Sequence, residues 1–437
     1  MVAAAPKIAI IGAGPGGLML ASILHHNNIP CTIFERDTSA VARAQGGTLD
    51  LHEYSGQRAL EAAGLLDGFR AVMRQGGDAM KMIRKDGTVL HESGGEDHDE
   101  ATTGGDGVQK NEGPASKFVK GRPEIDRPAL KDLLIASLPV DTVRWGSRVD
   151  AVTQVPGSKQ WDVKLAAAAV AADDSPAPFD LVVGADGAWS HTRALLTAQQ
   201  PLYSGITALD VWAPRVDEAA PAVSAFVGAG NCFMFEKDRA LLFQRNGSGR
   251  DAKARCYACV KTHSATPLSP AELLGRLEPE AQVDWADART REEFVERHFA
   301  DWYPEVKSVL LAMTEEPVLR PLYMLPVGLT WESRPGVTLV GDAAHLMTPF
   351  AGVGVNVALM DALELAQGIV DCVKMGNING DGLAAMVREY EKGMFKRSSA
   401  EAAKTEAAMN IQFQEGGMER MIEIISGGLQ PEDLVFE

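Results

Sequence analysis

The residues Gly12-Ala13-Gly14-Pro15-Gly16-Gly17 follow directly on an apolar, β-branched run, Lys7 to Ile11. They open onto Leu18 to His26, whose composition suits a helix, and a second strand is expected from Pro30 to Phe34, ending at Glu35. Strand, glycine loop, helix and strand in so short a span leave little choice of path. A parallel βαβ unit satisfies them, and a buried parallel sheet should follow. In that setting Gly12 permits the tight turn, Gly14 lets the backbone approach a pyrophosphate, and Gly17 lets the helix lie close to the strand. The helix N-terminus then offers free N–H groups and the positive end of its dipole to phosphate. Glu35 stands 18 positions beyond Gly17, where a carboxylate suits the ribose hydroxyls of an adenosine. The motif by itself does not separate NAD from FAD, and a glycine loop without a ligand is its bland alternative.

Two later segments carry chemistry of their own. Gly184-Ala185-Asp186-Gly187-Ala188-Trp189-Ser190-His191-Thr192-Arg193 follows an apolar strand expected over Phe179 to Gly184. Asp186-Gly187 is a turn signal and Ser190 suits the cap of a following helix, so this segment taken alone reads as structural. Gly341-Asp342-Ala343-Ala344-His345 follows a buried strand expected over Gly336 to Val340 and continues through Pro349, Gly352, Gly354 and Asn356 into a helical run. An Asp at the carboxyl end of a strand, before a glycine-permissive approach to a helix, is a site geometry of open α/β folds. Its carboxylate accepts from a polyol, and the helix N-terminus stabilises negative charge nearby. The alternative is a turn with His345 as a satisfied core histidine.

Composition narrows the class. The 437 residues suffice for two or three domains at roughly 150 residues each. Hydrophobic residues at 46% and charged residues at 23% exclude a wholly disordered chain. The formal net charge of −17, with no dense Lys/Arg run, argues against a nucleic-acid partner. The 5 cysteines are too sparse for a disulfide framework. Cys256 and Cys259 form a CxxC without a second ligand pair, so structural thiols and no metal are expected. The stretch from Ile8 to Ile29 lacks Asp, Glu, Lys and Arg but is broken by the glycine loop, so no membrane span is expected. The expectation is a cytoplasmic monomer. Ser93 to Pro123 reads as a long exposed loop, Arg127 to Leu138 as a helix, and about 199 to 318 as aromatic strands including Cys232 to Glu236 and Leu241 to Gln244. A helical piece lies near Glu292 to Phe299, and the chain beyond about 376 is mostly helical.

In this order, GxGxxG, an internal DGxxSxxR and a late GDAAH with a PxxGxGxN continuation, the chain resembles the class A flavin monooxygenases of the aromatic-hydroxylase type. The resemblance runs from Lys7 to about Tyr390. It is nearest to the tetracycline-inactivating members on Phe34-Glu35-Arg36-Asp37, Gly46 to His52, Ser55-Gly56-Gln57, Ala63 to Leu66, Pro123 to Arg127 with Leu130, and Gly341 to Phe350. It implies an α/β fold: a Rossmann-like FAD-binding domain discontinuous over 1–77, 120–198 and 320–375, a β-sheet substrate domain over 78–119 and 199–319, and C-terminal helices over 376–437. The implied cofactors are FAD and NADPH. O2 would supply one atom to an aromatic or polycyclic phenolic substrate, tetracycline-like compounds among the candidates, with no side chain acting as catalyst.

By the same resemblance Glu35 holds the adenosine ribose, Arg36 belongs to the cofactor site, Asp50 and Arg127 contact FAD, and Asp342 holds its ribityl or pyrophosphate part. Pro349, Gly352, Gly354 and Asn356 complete the flavin site, Arg43 meets NADPH, and Asp186 belongs to a motif serving both. Phe226, Phe233, Phe235 and Phe243 are candidates to line an apolar substrate pocket, each equally readable as core. The tetracycline-gripping Gln and Arg of the family align near Ala208 or Leu209 and near Cys232, and no matching His falls between Phe233 and Phe243. Tetracycline is therefore expected to be at best a poor substrate. Two other classes stand beside this one: a flavin oxidase or dehydrogenase without oxygen transfer, and a non-catalytic FAD-folded binding protein.

Overall fold

The computed structural model describes residues 5–42, 46–94, 117–166, 178–276, 278 and 283–426. The chain forms two compact units, one gathering 1–72, 127–204 and 322–410, the other 73–126, 205–321 and 411–437.

The first unit is built on five parallel strands in the order Val337–Leu339, Leu181–Gly184, Ile8–Ile11, Thr32–Phe34 and Val143–Arg144. Ile8–Ile11 is buried at every position, as a central strand covered on both faces must be. Helix Pro15–His26 begins with Pro15 in its first turn, where a missing N–H costs nothing. At Gly16 this helix packs against helix Gly354–Lys374: a Cβ there would lie in ordinary contact, 3.5 Å from the Ala358 carbonyl oxygen. A hairpin of Val149–Gln154 and Trp161–Leu165 adds Trp161, fully buried, whose indole N–H donates to the Pro335 carbonyl at 3.0 Å. Trp161 joins Ala9, Ile11, Phe34, Phe179, Val182 and Val337 in one apolar cluster.

The second unit carries a seven-stranded sheet in the order Val318–Met324, Leu202–Ala213, Lys253–Lys261, Arg239–Asn246, Asn231–Glu236, Met80–Ile83 and Val89–Ser93. Side chains alternate between its faces. One face, with Val211, Met234, Leu241, Phe243, Cys256 and Ala258, closes a core with Phe226, Phe294, Phe299 and Val306 from the helices. Phe226 and Phe243 meet edge to face at 5.5 Å inside this core. The pocket-lining expectation is corrected for these two, because strand parity turns Phe243 inward and Phe226 packs against it. Phe233 and Phe235 have the opposite parity and lie on the other face, their rings 6.2 Å apart.

Cys256 and Cys259 stand three apart in one strand, so their thiols leave it on opposite faces and do not converge. Burial pushes both thiols above the ordinary range, and Cys31 and Cys232 up to about 12.

The C-terminal stretch does not form a segment of its own. In helix Gly380–Gln412 the Tyr390 hydroxyl donates to the Leu339 carbonyl at 2.9 Å, and Arg397 bonds to Asp361 and Glu364 at 2.8 and 2.6 Å. These contacts tie the helix to the first unit. Beyond it, Phe413 accepts from the Asp238 amide at 3.2 Å and Glu419 pairs with Arg84 at 2.6 Å, both in the second unit. Among the described residues no helix is long and apolar enough to cross a membrane.

Candidate functional site

The three motifs begin at the carboxyl ends of three adjacent parallel strands. Ile11 pairs with Gly184, and Gly184 with Leu339, so Gly12, Ala185 and Val340 emerge side by side. Glu35 emerges at the end of the next strand, where Phe34 pairs with Ile11. Ligands of open α/β sheets bind at this edge.

Two glycines of the loop are dictated by the protein and one is not. Gly12 has φ +107°, and a Cβ there would lie 2.4 Å from the Ala185 carbonyl oxygen. A Cβ on Gly17 would lie 2.3 Å from the Gly12 carbonyl oxygen. A Cβ on Gly14 would meet nothing nearer than Ala185 O at 4.0 Å. Gly14 is also the N-cap of helix Pro15–His26 and offers no side-chain acceptor to its first amides. Glu35 holds the loop from below, accepting from Ala13 N at 2.7 Å and from Asp37 N at 2.9 Å.

The second motif is organised by its own carboxylate. Asp186 accepts from the Ser190 hydroxyl at 2.5 Å and from the His191 and Thr192 amides at 2.9 and 3.1 Å. Ser190 in turn accepts from Arg193 N at 2.8 Å, which starts a 3-10 turn. Arg193 is buried, and its guanidinium donates to Ala188 O at 2.7 Å and to Ala343 O at 3.0 Å. It therefore stitches the second motif to the third.

The third motif turns at Gly341, φ +61°, where a side chain would be strained. Asp342 is exposed to solvent yet ringed by protein, as befits a group lining a concavity. Burial among that protein raises its carboxyl above the ordinary range, although His345, Arg127 and Arg193 all pull the other way. The structure thus brings Arg127, Arg193 and His345 within electrostatic reach of Asp342. Behind them, Asp361 is fully buried and accepts from Gly341 N at 2.9 Å, His345 Nε2 at 2.5 Å and Arg397 Nη2 at 2.8 Å. This inner network was missed in sequence. Its only signal was a carboxylate set within the otherwise apolar run Val357 to Leu363.

The remaining predicted residues fall as follows. Arg36 is exposed. Arg43 lies outside the described residues. Asp50 bonds through Oδ2 to His52 Nε2 at 3.0 Å. Asn356 is buried and donates to Asp50 O at 2.8 Å, while its Oδ1 accepts from His52 N at 2.9 Å and from the Ser55 hydroxyl at 3.0 Å. Its amide pins the 50–56 segment to the start of helix Gly354–Lys374. Pro349 opens a 3-10 turn that ends at Gly352, which is left-handed with φ +66°. A Cβ on Gly354 would meet nothing within 4 Å.

This donor set fits FAD. Gly14 and Gly354 each leave open space before a helix N-terminus without a side-chain cap. Amides there suit a pyrophosphate and the electron-rich edge of a ring, and Glu35 and Asp342 suit hydroxyl donors. The Thr348 hydroxyl and the Arg193 Nε are buried without a partner among the described residues.

The sequence matches the FAD binding domain family over residues 6–393. It is 32% identical to the monooxygenase penA of Penicillium thymicola over 95% of this chain and 97% of that protein. It is likewise 32% identical to the monooxygenase asqM of Emericella nidulans, over 94% and 96%. Among solved structures, the tetracycline destructase Tet(55) superposes with a TM-score of 0.66 over 98% of this chain and 96% of its own. At 18% identity that likeness speaks for the fold alone.

Proposed function

The chain belongs to the FAD binding domain family and is an FAD-dependent monooxygenase of the aromatic-hydroxylase type; we propose that it oxidises NADPH and hydroxylates a small aromatic substrate at the expense of O2. One oxygen atom enters a ring C–H bond, the other leaves as water, and NADPH supplies the two electrons. The observation that carries this reading is the alignment of all three motifs at neighbouring strand ends.

FAD, when bound, relays electrons from the hydride donor to O2. The chain's own residues bind and orient it. The Gly12–Gly17 loop and the N-terminus of helix Pro15–His26 take the pyrophosphate, and Glu35, with Arg36 beside it, takes the adenosine ribose. Asp342 accepts from the ribityl or pyrophosphate portion, with Arg127 balancing charge beside it. Gly354, at the start of helix Gly354–Lys374, leaves room for the ring, after a turn that Pro349 starts and the Gly352 amide closes by donating to the Pro349 carbonyl. Asp50, Asp186 and Asn356 act by fixing the loops that carry these groups. Arg43 is assigned to the phosphate-bearing hydride donor, for which a guanidinium is suited.

The test is turnover of purified, FAD-loaded protein with NADPH and O2 over a panel of phenols and tetracycline. A product one oxygen atom heavier on a phenol, with tetracycline turned over poorly or not at all, is the expected result. Substrate-dependent NADPH oxidation with every product mass unchanged would overturn the reading.

A further inference from the structure

The strand Thr48–Asp50 runs on through Leu51 and His52 and then turns, Ser55 N donating to His52 O at 3.3 Å. Asp50 and His52 stand at alternate positions and share one side of the chain, while Leu51 is fully buried on the other. The turn brings Tyr54 back onto His52, with ring centroids 5.5 Å apart. A continuous string of hydrogen bonds results. The Tyr54 hydroxyl meets His52 Nδ1 at 3.3 Å, and His52 Nε2 meets Asp50 Oδ2 at 3.0 Å. One neutral tautomer serves both bonds, Nδ1 accepting from the hydroxyl and Nε2–H donating to the carboxylate. Tyr54 is 71% exposed, whereas the side chains of His52 and Asp50 are 11% and 13% exposed. The string therefore leads from water into the protein.

Holding the segment in place does not call for this string. The Asn356 side chain donates to Asp50 O at 2.8 Å and accepts from His52 N, Ser55 Oγ and Gly56 N at 2.9, 3.0 and 3.3 Å. Gln57 Nε2 donates to Leu51 O at 3.0 Å. None of these bonds involves the His52 ring. A hydroxyl as exposed as that of Tyr54 exchanges water for imidazole at little net gain in stability. The same bonds set where the string ends. Asn356, uncharged, stands in the first turn of helix Gly354–Lys374, whose Gly354 end is assigned to the flavin ring, and Arg127 N donates to Gly47 O at 3.2 Å.

Hydroxylation at the expense of NADPH and O2 consumes one proton per turnover: RH, O2, NADPH and H+ give ROH, H2O and NADP+. That proton comes from water and has to cross protein to reach the flavin. We propose that Tyr54, His52 and Asp50 form a proton relay from solvent to the flavin site. Tyr54 passes its hydroxyl proton to His52 Nδ1 and takes another from water. The imidazolium passes its Nε2 proton to the Asp50 carboxylate, which presents it at the flavin side, and the imidazole regains its first tautomer by exchange with water. No electron moves, and one proton is carried inward. Imidazole suits the task because it gains and loses protons near neutral pH. The inference rests on the FAD reading of this segment and adds His52 and Tyr54, which that reading leaves unused.

The experiment uses the FAD-loaded full chain carrying isotope-labelled histidine, with the His52 signals identified by their loss in His52→Gln. Nuclear magnetic resonance follows the ring through a pH titration of oxidised and of anaerobically reduced protein. Reduction should raise the His52 midpoint by about half a pH unit or more, roughly threefold in proton affinity. Reoxidation of the reduced FAD by O2, followed by absorbance, should be roughly tenfold or more slower in His52→Gln and slower in Tyr54→Phe. Free imidazole should restore the His52→Gln rate in proportion to its concentration, which a merely structural role would not produce. A His52 midpoint equal in both redox states, reoxidation of His52→Gln at the wild-type rate, or slowing that imidazole leaves untouched would each overturn the inference. Where His52→Gln does not hold FAD, Tyr54→Phe decides alone, and reoxidation at the wild-type rate overturns the relay. A chain that binds no flavin overturns the FAD reading itself, and the relay with it, before either comparison begins.

Discussion

Asp361→Asn asks whether the third motif is held by charge or by packing. The wild-type carboxylate is fully buried and serves Gly341 N at 2.9 Å, His345 Nε2 at 2.5 Å and Arg397 Nη2 at 2.8 Å. Asparagine has the same shape but keeps a single acceptor and turns an N–H2 toward one of these donors. That leaves a cation buried without its counter-charge. Removing one partner of a buried ion pair costs about 3–5 kcal/mol, a large share of the roughly 5–15 kcal/mol that holds a domain folded. At about 2–4 °C per kcal/mol for a unit of this size, the melting temperature should fall by roughly 6–20 °C.

The pH dependence has a definite sign. Burial works against a charged His345, but Asp361 and Asp342 outweigh it and raise the imidazole above its ordinary 6.5. Burial works against a charged Asp361, but His345 and Arg397 outweigh it and hold the carboxyl below its ordinary 3.8. Stabilisation from His345 is complete below 6.5 and is lost as pH rises through the raised value. Stabilisation from Asp361 is complete above 3.8 and is lost as pH falls through the depressed value. The gap between wild type and variant should therefore be widest between 3.8 and 6.5 and narrow on either side. Melting curves across this range, with and without FAD, measure it. Curves that superpose at every pH, with equal FAD affinity, would refute the argument.

The glycine loop separates folding from binding. Gly17→Ala should destabilise the protein, since its Cβ would lie 2.3 Å from Gly12 O, whereas Gly14→Ala should melt normally and lose FAD, which a flavin absorbance assay on refolded material distinguishes. Asp342→Ala should fold and bind FAD roughly tenfold to a hundredfold more weakly, as loss of a charge-assisted hydrogen bond predicts; wild-type affinity in a titration would remove Asp342 from the flavin site. Arg43→Ala should keep its FAD content while NADPH reduces the flavin more slowly. Anaerobic stopped-flow traces identical to wild type would make Arg43 an ordinary surface arginine.

Most of the first unit was legible because its signals are local. Ile8–Ile11, the glycine loop and Pro15–His26 follow from β-branched residues, glycines and a Pro at the first helical turn, none of which depends on distant chain. Asp186 was legible as a turn residue, and its bonds to Ser190, His191 and Thr192 are those of a local cap. What Arg193 does was only half legible: its acceptor Ala188 is local, but the other, Ala343, lies in a segment brought beside it only by strand order. Asp361 was hidden for a related reason. A lone carboxylate in an apolar helix announces a buried partner but not which one, and His345 and Arg397 come from two other helices, Asp342–His345 and Gly380–Gln412.

The second unit shows where such reading stops. Alternation within Asn231–Glu236 and Arg239–Asn246 assigns Phe233 and Leu242 to one face each, and the same rule would have removed Phe243 from the pocket had the inward face been known. Alternation is a property of one strand, however, while a binding surface is a property of the register between strands. Slipping one strand by a single residue sends every side chain to the other face. The row that register forms from Asp210, Tyr257, Leu242, Phe233 and Met82 exists only once four pairings are fixed. The cofactor chemistry is thus written in contiguous motifs that a sequence displays, and the selectivity is written across strands. A chain can share every flavin motif with its relatives and still present a different face to its substrate.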